Sequence, residues 1–154
     1  MSVTVRMAVP ADVPTIVELG KELHAWSGLI ERGLPFDPEW SSKLCLRWLE
    51  QPERFGVFMG EIAGVPAGAM AVALNPSFFG DAIFATEVFW GAFAAARGLG
   101  VTSALADMAL VWARERGATH SCFLVIPHRD QNIVIGSLKR RGYAPLETVW
   151  ARRV

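Results

Sequence analysis

Two neighbouring stretches hold the residues whose types and spacing could do chemistry. The first centres on Glu87, the only charged residue in the apolar run 83–93. A carboxylate in such a run is costly to bury unless it faces solvent, a partner or a site. In a cleft, desolvation would raise its pKa and suit it to general-base work; at a solvent-facing edge it would have no role. The second stretch follows directly: Arg97-Gly98-Leu99-Gly100-Val101-Thr102-Ser103. A strand that enters a helix through glycines leaves backbone N–H groups unpaired at the helix start. With the positive helix end and Arg97, these donors form a cradle for an anion, phosphate or diphosphate being the obvious guest. Two glycines near a turn also occur in ordinary connections, so a passive turn with a surface arginine is the competing reading.

Other reactive groupings are missing from the sequence. His24, His120 and His128 are isolated, and Cys45 and Cys122 are far apart, so no metal site is expected. There is no Gly-x-Ser-x-Gly elbow and no Walker lysine. The glycine stretch is too short for a dinucleotide fingerprint. Basic residues do not interleave with aromatics as on a single-strand nucleic-acid platform.

The elements that must position these residues follow from periodicity. Residues 3–7 alternate as a short strand. Pro10-Ala11-Asp12 then starts a helix with Asp12 as its expected cap, and Val13, Ile16, Leu19, Leu23 and Trp26 mark its buried face. Residues 29–36 read as a loop. Asp37-Pro38-Glu39 begins a second helix, whose apolar stripe is Trp40, Leu44, Trp48 and Leu49. Residues 55–62 and 67–74 form an antiparallel hairpin around Ala63-Gly64-Val65-Pro66. Small residues at 67, 68, 69, 71 and 73 would let a neighbour approach closely. A loop at 75–82 carries the aromatic pair Phe78 and Phe79, which could line a substrate mouth or a subunit contact. The strand 83–93, the helix 101–116 and a strand 118–126 then form a right-handed crossover between parallel strands. The glycine turn thereby falls at strand C-termini, where such sheets usually bind ligands. Asp130 caps a helix 131–141 with Val134, Ile135 and Leu138 inward, and residues 143–151 supply a final strand or strand pair. The expected order is β-α-α-β-β-β-α-β-α-β, a mixed sheet with helices on both sides.

The 154 residues suit one domain over 1–154 with a sizeable core. Net charge is zero, which gives no general attraction for nucleic acid or anionic membranes. That zero is unevenly built: residues 1–96 carry 6 Lys/Arg against 11 Asp/Glu, and residues 97–154 carry 9 against 4. The basic part begins at the anion loop. Two cysteines in apolar runs read as small buried hydrophobes rather than a disulfide framework. No secretory signal and no run of eighteen apolar residues is present, so a cytoplasmic protein with no membrane partner is the expectation.

The element order and the residues around 87–102 and 132–143 resemble the Gcn5-related N-acetyltransferase superfamily. That family's acyl-CoA loop is Arg/Gln-x-x-Gly-x-Gly/Ala; here Arg97 and Gly100 match, Gly98 also fits, and Thr102 departs from the usual small last residue. The later family pattern, an asparagine and ten residues on a glycine with an aromatic, is matched by Asn132, Gly142 and Tyr143. The resemblance implies the acyl-CoA N-acyltransferase fold, an α/β (α+β) single domain with a mixed, mostly antiparallel sheet flanked by helices. It implies acetyl-CoA as cosubstrate and no metal. Residues 98–103 (Gly98, Leu99, Gly100, Val101, Thr102 and Ser103) would hold the diphosphate by backbone N–H groups, helped by Arg97. Asn132 would contact the pantetheine or the loop that covers it.

For the chemistry, it implies that an amine attacks the thioester directly. Glu87 would be the base, acting directly or through water, and a strand N–H among Phe89, Trp90 and Gly91 would polarise the carbonyl. The family's usual thiolate-protonating tyrosine, four residues before the late glycine, is replaced by Leu138. Either the thiolate leaves without that acid, or another residue such as His128 substitutes, or the protein is weak or non-catalytic. The acceptor would be a small-molecule or protein amine, with a homodimer plausible. The segments expected to form its pocket, 27–36 and 75–82, carry no diagnostic charge pattern. Two other readings stay open: a non-catalytic CoA-binding or sensor protein, and an interaction module using Phe78, Phe79 and the tryptophans.

Overall fold

The structure, a computed structural model, describes residues 2–127, 130–147, 149 and 151–152. The chain divides into two compact units, Met1–Leu124 and Val125–Val154. The first contains a five-stranded sheet and three helices. Its strands, β1 (Val3–Met7), β2 (Phe55–Ile62), β3 (Val65–Pro76), β4 (Ile83–Ala92) and β5 (His120–Cys122), lie in sequence order across the sheet. β1 to β4 are antiparallel, and β5 joins β4 in parallel.

Alternation of side chains along each strand gives the sheet two apolar faces. On one face, Val57, Met59, Ala69 and Ala71 pack with α1 (Val13–Ser27) and α2 (Pro38–Leu49). On the other, Phe58, Met70, Val72 and Ala85 pack with α3 (Val101–Glu115) through Val101, Leu105 and Trp112. The small residues of β3 make the second contact tight. A Cβ on Gly68 would lie 2.5 Å from the Gly91 carbonyl oxygen and 2.7 Å from Val101 Cγ1. The first turn of α3 therefore presses on the sheet beside β4, which fixes where the glycine loop before it can run.

α2 starts as its sequence dictates, with the Asp37 carboxylate accepting from Trp40 N at 2.9 Å. Its expected stripe is less complete: Trp40 is exposed, while Cys45 is buried and Trp48 stacks between Phe55 and Phe89. Trp40 stands in the first turn of α2. Cys122, expected to be buried like Cys45, is half-buried at the end of β5. Asp12 precedes α1 at the cap position but does not bond the helix. Its carboxylate reaches back to Val9 N at 2.8 Å and pairs with both terminal nitrogens of Arg6 at 2.7 and 2.8 Å. Arg6 also bonds Glu61 at 2.9 Å, which ties β1, β2 and the start of α1 together.

Two further expectations are corrected. The strand 118–126 is formed only over His120–Cys122, because the β4–β5 ladder ends at Thr86↔Cys122. Just beyond, the Leu124 amide goes to the Glu87 carboxylate rather than to a strand. The last strand, 143–151, is not formed among the described residues, and Pro145 there lacks the amide a ladder needs. In the second unit, α4 (Gln131–Arg140) ends in bonds from Tyr143 N to Leu138 O and from Gly142 N to Lys139 O, with Gly142 at φ 85°. This is a glycine-terminated helix end.

Candidate active site

The loop between β4 and α3 carries the donors that the sequence nominates. Gly98 and Gly100 hold φ values of 81° and 84°, a region that side chains resist. A Cβ at either would meet nothing within 4 Å, so the loop is open on that side. The first helical bond of α3 is donated by Ala104 to Gly100 O at 3.0 Å. Among the described residues, the amides of Gly98, Gly100, Val101, Thr102 and Ser103 donate no hydrogen bond. Leu99 departs from the expected set, because its amide closes a turn on Ala96 O at 3.2 Å. Unpaired amides at a helix N-terminus with open space before them suit a multiply charged anion. An oxygen of Thr102 accepts the Trp90 indole N–H at 2.8 Å, which locks the start of α3 to β4.

Arg97 is exposed but held. Its Nη2 bonds Glu22 Oε1 on α1 at 2.8 Å, and its guanidinium lies over the Trp26 ring at 5.7 Å. The same Glu22 oxygen accepts from Ala94 N at 2.8 Å. Neither contact is legible in the sequence, since Glu22 and Arg97 are 75 positions apart.

Glu87 is buried, with 8% of its surface exposed, so the solvent-facing alternative does not apply. Loss of hydration pushes its pKa up to about 7, partly opposed by the Leu124 N–H that reaches Oε2 at 3.2 Å. A bulge lies next to it. Val72 pairs with Glu87 and Ala71 pairs with Phe89, leaving Val88 as an extra residue on β4. Past the bulge, no strand pairs with β4 on its β5 side among the described residues. The bond from Phe93 N to Ala67 O fixes the alternation. By it, the amides of Gly91 and Phe89 turn to β3, and those of Trp90 and Ala92 turn to the open edge. Glu87, the open edge and the glycine loop thus follow one another along β4 and its continuation.

Residues 22–143 match the acetyltransferase (GNAT) family. The chain belongs to that family. No curated protein matches the chain. Among solved structures, an aminoglycoside acetyltransferase from an uncultured soil metagenomic sample superposes with a TM-score of 0.76 at 18% identity, covering 100% of this chain and 99% of its own. A ribosomal-protein-alanine N-acetyltransferase from Brucella melitensis biovar Abortus 2308 gives 0.76 at 12% identity, with 100% of both chains covered. A predicted acetyltransferase with acetyl-CoA from Clostridium acetobutylicum gives 0.74 at 15%, covering 99% and 96%. The fold is the GNAT acyl-CoA N-acyltransferase fold.

Within the GNAT frame, the remaining sequence candidates lie in the second unit. Asn132 is exposed in the first turn of α4, and Leu138, which stands where the family often has tyrosine, is buried on that helix. His128 lies outside the described residues. The described residues contain no group of three His, Cys, Asp or Glu side chains that could hold a metal, and no helix long and apolar enough to cross a membrane. A groove of about 550 Å³ lined by Val57, Phe58, Met108 and Trp112 lies toward the other end of α3 and includes neither Glu87 nor the glycine loop. Sequence reasoning missed Leu124, Glu22 and the Val88 bulge. Only the bulge had a possible cue, in the failure of strict alternation across the apolar run.

Proposed function

We propose that this GNAT protein moves an acetyl group from acetyl-CoA to a primary amine of a small molecule or protein by direct attack, with Glu87 as general base. The observation that carries the reading is a buried carboxylate of raised pKa, lying on the same strand that leads into the open, amide-lined loop. The amides of Gly98 and of residues 100–103, less that of Leu99, would receive the diphosphate, with Arg97 beside them. Asn132 would contact the pantetheine or its cover. The whole chain, 1–154, would act as one domain.

Glu87 takes a proton from the attacking amine, directly or by water, as the N–C bond forms. The Trp90 amide, turned to the open edge of β4, would donate to the carbonyl oxygen as charge gathers there, with Phe89 and Gly91 shaping that stretch. The C–S bond then breaks, and the departing sulfur takes up a proton. With Leu138 where relatives carry tyrosine, His128 is the residue we assign to that second transfer. Anchoring of the diphosphate contributes chiefly by orientation. No covalent enzyme intermediate is needed.

The test is a thermal-shift screen against acetyl-CoA, free CoA and nucleotides, followed by an amine panel with CoA release as readout. Stabilisation by acetyl-CoA and turnover that Glu87→Gln lowers by about 10²-fold or more support the reading. Leu138 favours one alternative, a non-catalytic CoA-binding or sensor protein. Binding without turnover on any amine would select it. Phe78 and Phe79, 94% and 96% exposed at the β3–β4 turn, would serve a subunit or acceptor contact.

A further inference from the structure

The clasp between α1 and the glycine loop has no role in the chemistry described above. Glu22 stands in the last half of α1 and Trp26 one turn further on, so both reach the same side of the helix. One Glu22 oxygen accepts from Ala94 N, the first amide after β4 and its linking residue Phe93, and from Arg97 Nη2, each at 2.8 Å. Between them, Leu23 packs where a Cβ on Gly91 would lie 2.5 Å from Leu23 Cδ2. Three side chains of α1 therefore grip β4 and its continuation at Gly91, Ala94 and Arg97. Arg97 is bound end-on through a single nitrogen, with 43% of its side chain exposed, which leaves other guanidinium donors for an anion. A long, flexible arginine loses rotamer freedom when it binds an anion; one already fixed by a carboxylate and an indole face loses less.

We propose that Glu22 is a positioning residue for the diphosphate of acetyl-CoA, acting through Arg97, while the Ala94 amide bound to the same oxygen holds the Glu22 carboxylate in place. The inference rests on the loop being the diphosphate site. It assigns α1 a part in cosubstrate capture. Because Glu22 works through an acceptor oxygen, glutamine can serve in its place, whereas alanine cannot. Because it works through Arg97, its effect must vanish once Arg97 is gone.

The test is a calorimetric titration of free CoA into the wild type, Glu22→Gln, Glu22→Ala, Arg97→Ala and the double variant Glu22→Ala/Arg97→Ala. Glu22→Ala should weaken CoA about tenfold, and the double variant should match Arg97→Ala within about twofold, since coupled residues are not additive. Glu22→Gln should stay within about threefold of the wild type, a rescue that a bulk electrostatic effect of the carboxylate would not give. If Glu22→Ala is too unstable to titrate, Glu22→Asp, one methylene too short to bridge Ala94 and Arg97, should show the same loss. Wild-type affinity in Glu22→Ala or Glu22→Asp, or losses that add in the double variant, would overturn the proposal. Failure of the wild type to bind CoA would instead overturn the reading of the loop.

Discussion

At the scale of single residues, Glu87 separates catalysis from binding. Its pKa is raised because its charge is buried among apolar neighbours with one amide donor, and about 7 is close to the value at which a base both accepts and releases protons at neutral pH. The log of kcat/KM should therefore rise with pH to a bend near 7. Glu87→Gln should lose that limb and fall by about 10²–10⁴-fold. A flat wild-type profile in the chemical step would count against base catalysis. The same shift has a stability consequence of opposite benefit. A carboxyl whose pKa is higher folded than unfolded binds more protons in the native state between its two values. Its favourable contribution is complete below the ordinary value of 4.5 and lost as pH rises through about 7. Glu87→Gln should consequently be more stable than the wild type above pH 7, by about 1–3 kcal/mol, with the gap closing toward pH 4 in denaturant titrations. Lower stability of the variant at pH 8 would show that the carboxylate is better solvated than its burial indicates.

At the scale of elements, the start of α1 is held by charge rather than by a helix cap. The paired bonds from Arg6 hold the Asp12 carboxyl below the usual range, so its contribution is present at neutral pH and disappears as pH falls through the folded value. Asp12→Ala should lower stability at pH 7 by about 2 kcal/mol and lose most of that difference in strong acid, read from unfolding midpoints. Equal stability at pH 7 would make the network dispensable. These elements also show how far sequence pattern reaches. α1, α2, α3, the hairpin and β4 are written in apolar spacing, in Asp37 and in the Gly-rich punctuation, and the loop beside Glu87 follows from them. What pattern cannot carry is contact between distant positions. Arg6 with Asp12, Glu22 with Arg97 and Leu124 with Glu87 depend on how the elements stack. The shortness of β5 has the same origin: residues 118–126 read as strand throughout, but the Val88 bulge and the Glu87 carboxylate end the ladder at Cys122.

At the scale of the molecule, we propose that residues 1–154 act as one domain. The chain should therefore unfold in a single cooperative transition that acetyl-CoA shifts upward as a whole. Two separate transitions, only one of them ligand-dependent, would show that 125–154 works apart from the sheet. The proposed reaction depends on the amides before α3 gripping a diphosphate. The most direct test is calorimetric titration of acetyl-CoA into the wild type, Gly100→Ala and Gly100→Glu, with circular dichroism to compare folds. Alanine and glutamate share the same backbone strain at φ 84°, and only glutamate adds bulk and negative charge to the cradle. The proposed site predicts saturable binding to the wild type, retained though weaker binding to Gly100→Ala, and none to Gly100→Glu with its fold intact. Equal affinity of Gly100→Glu and the wild type would contradict it.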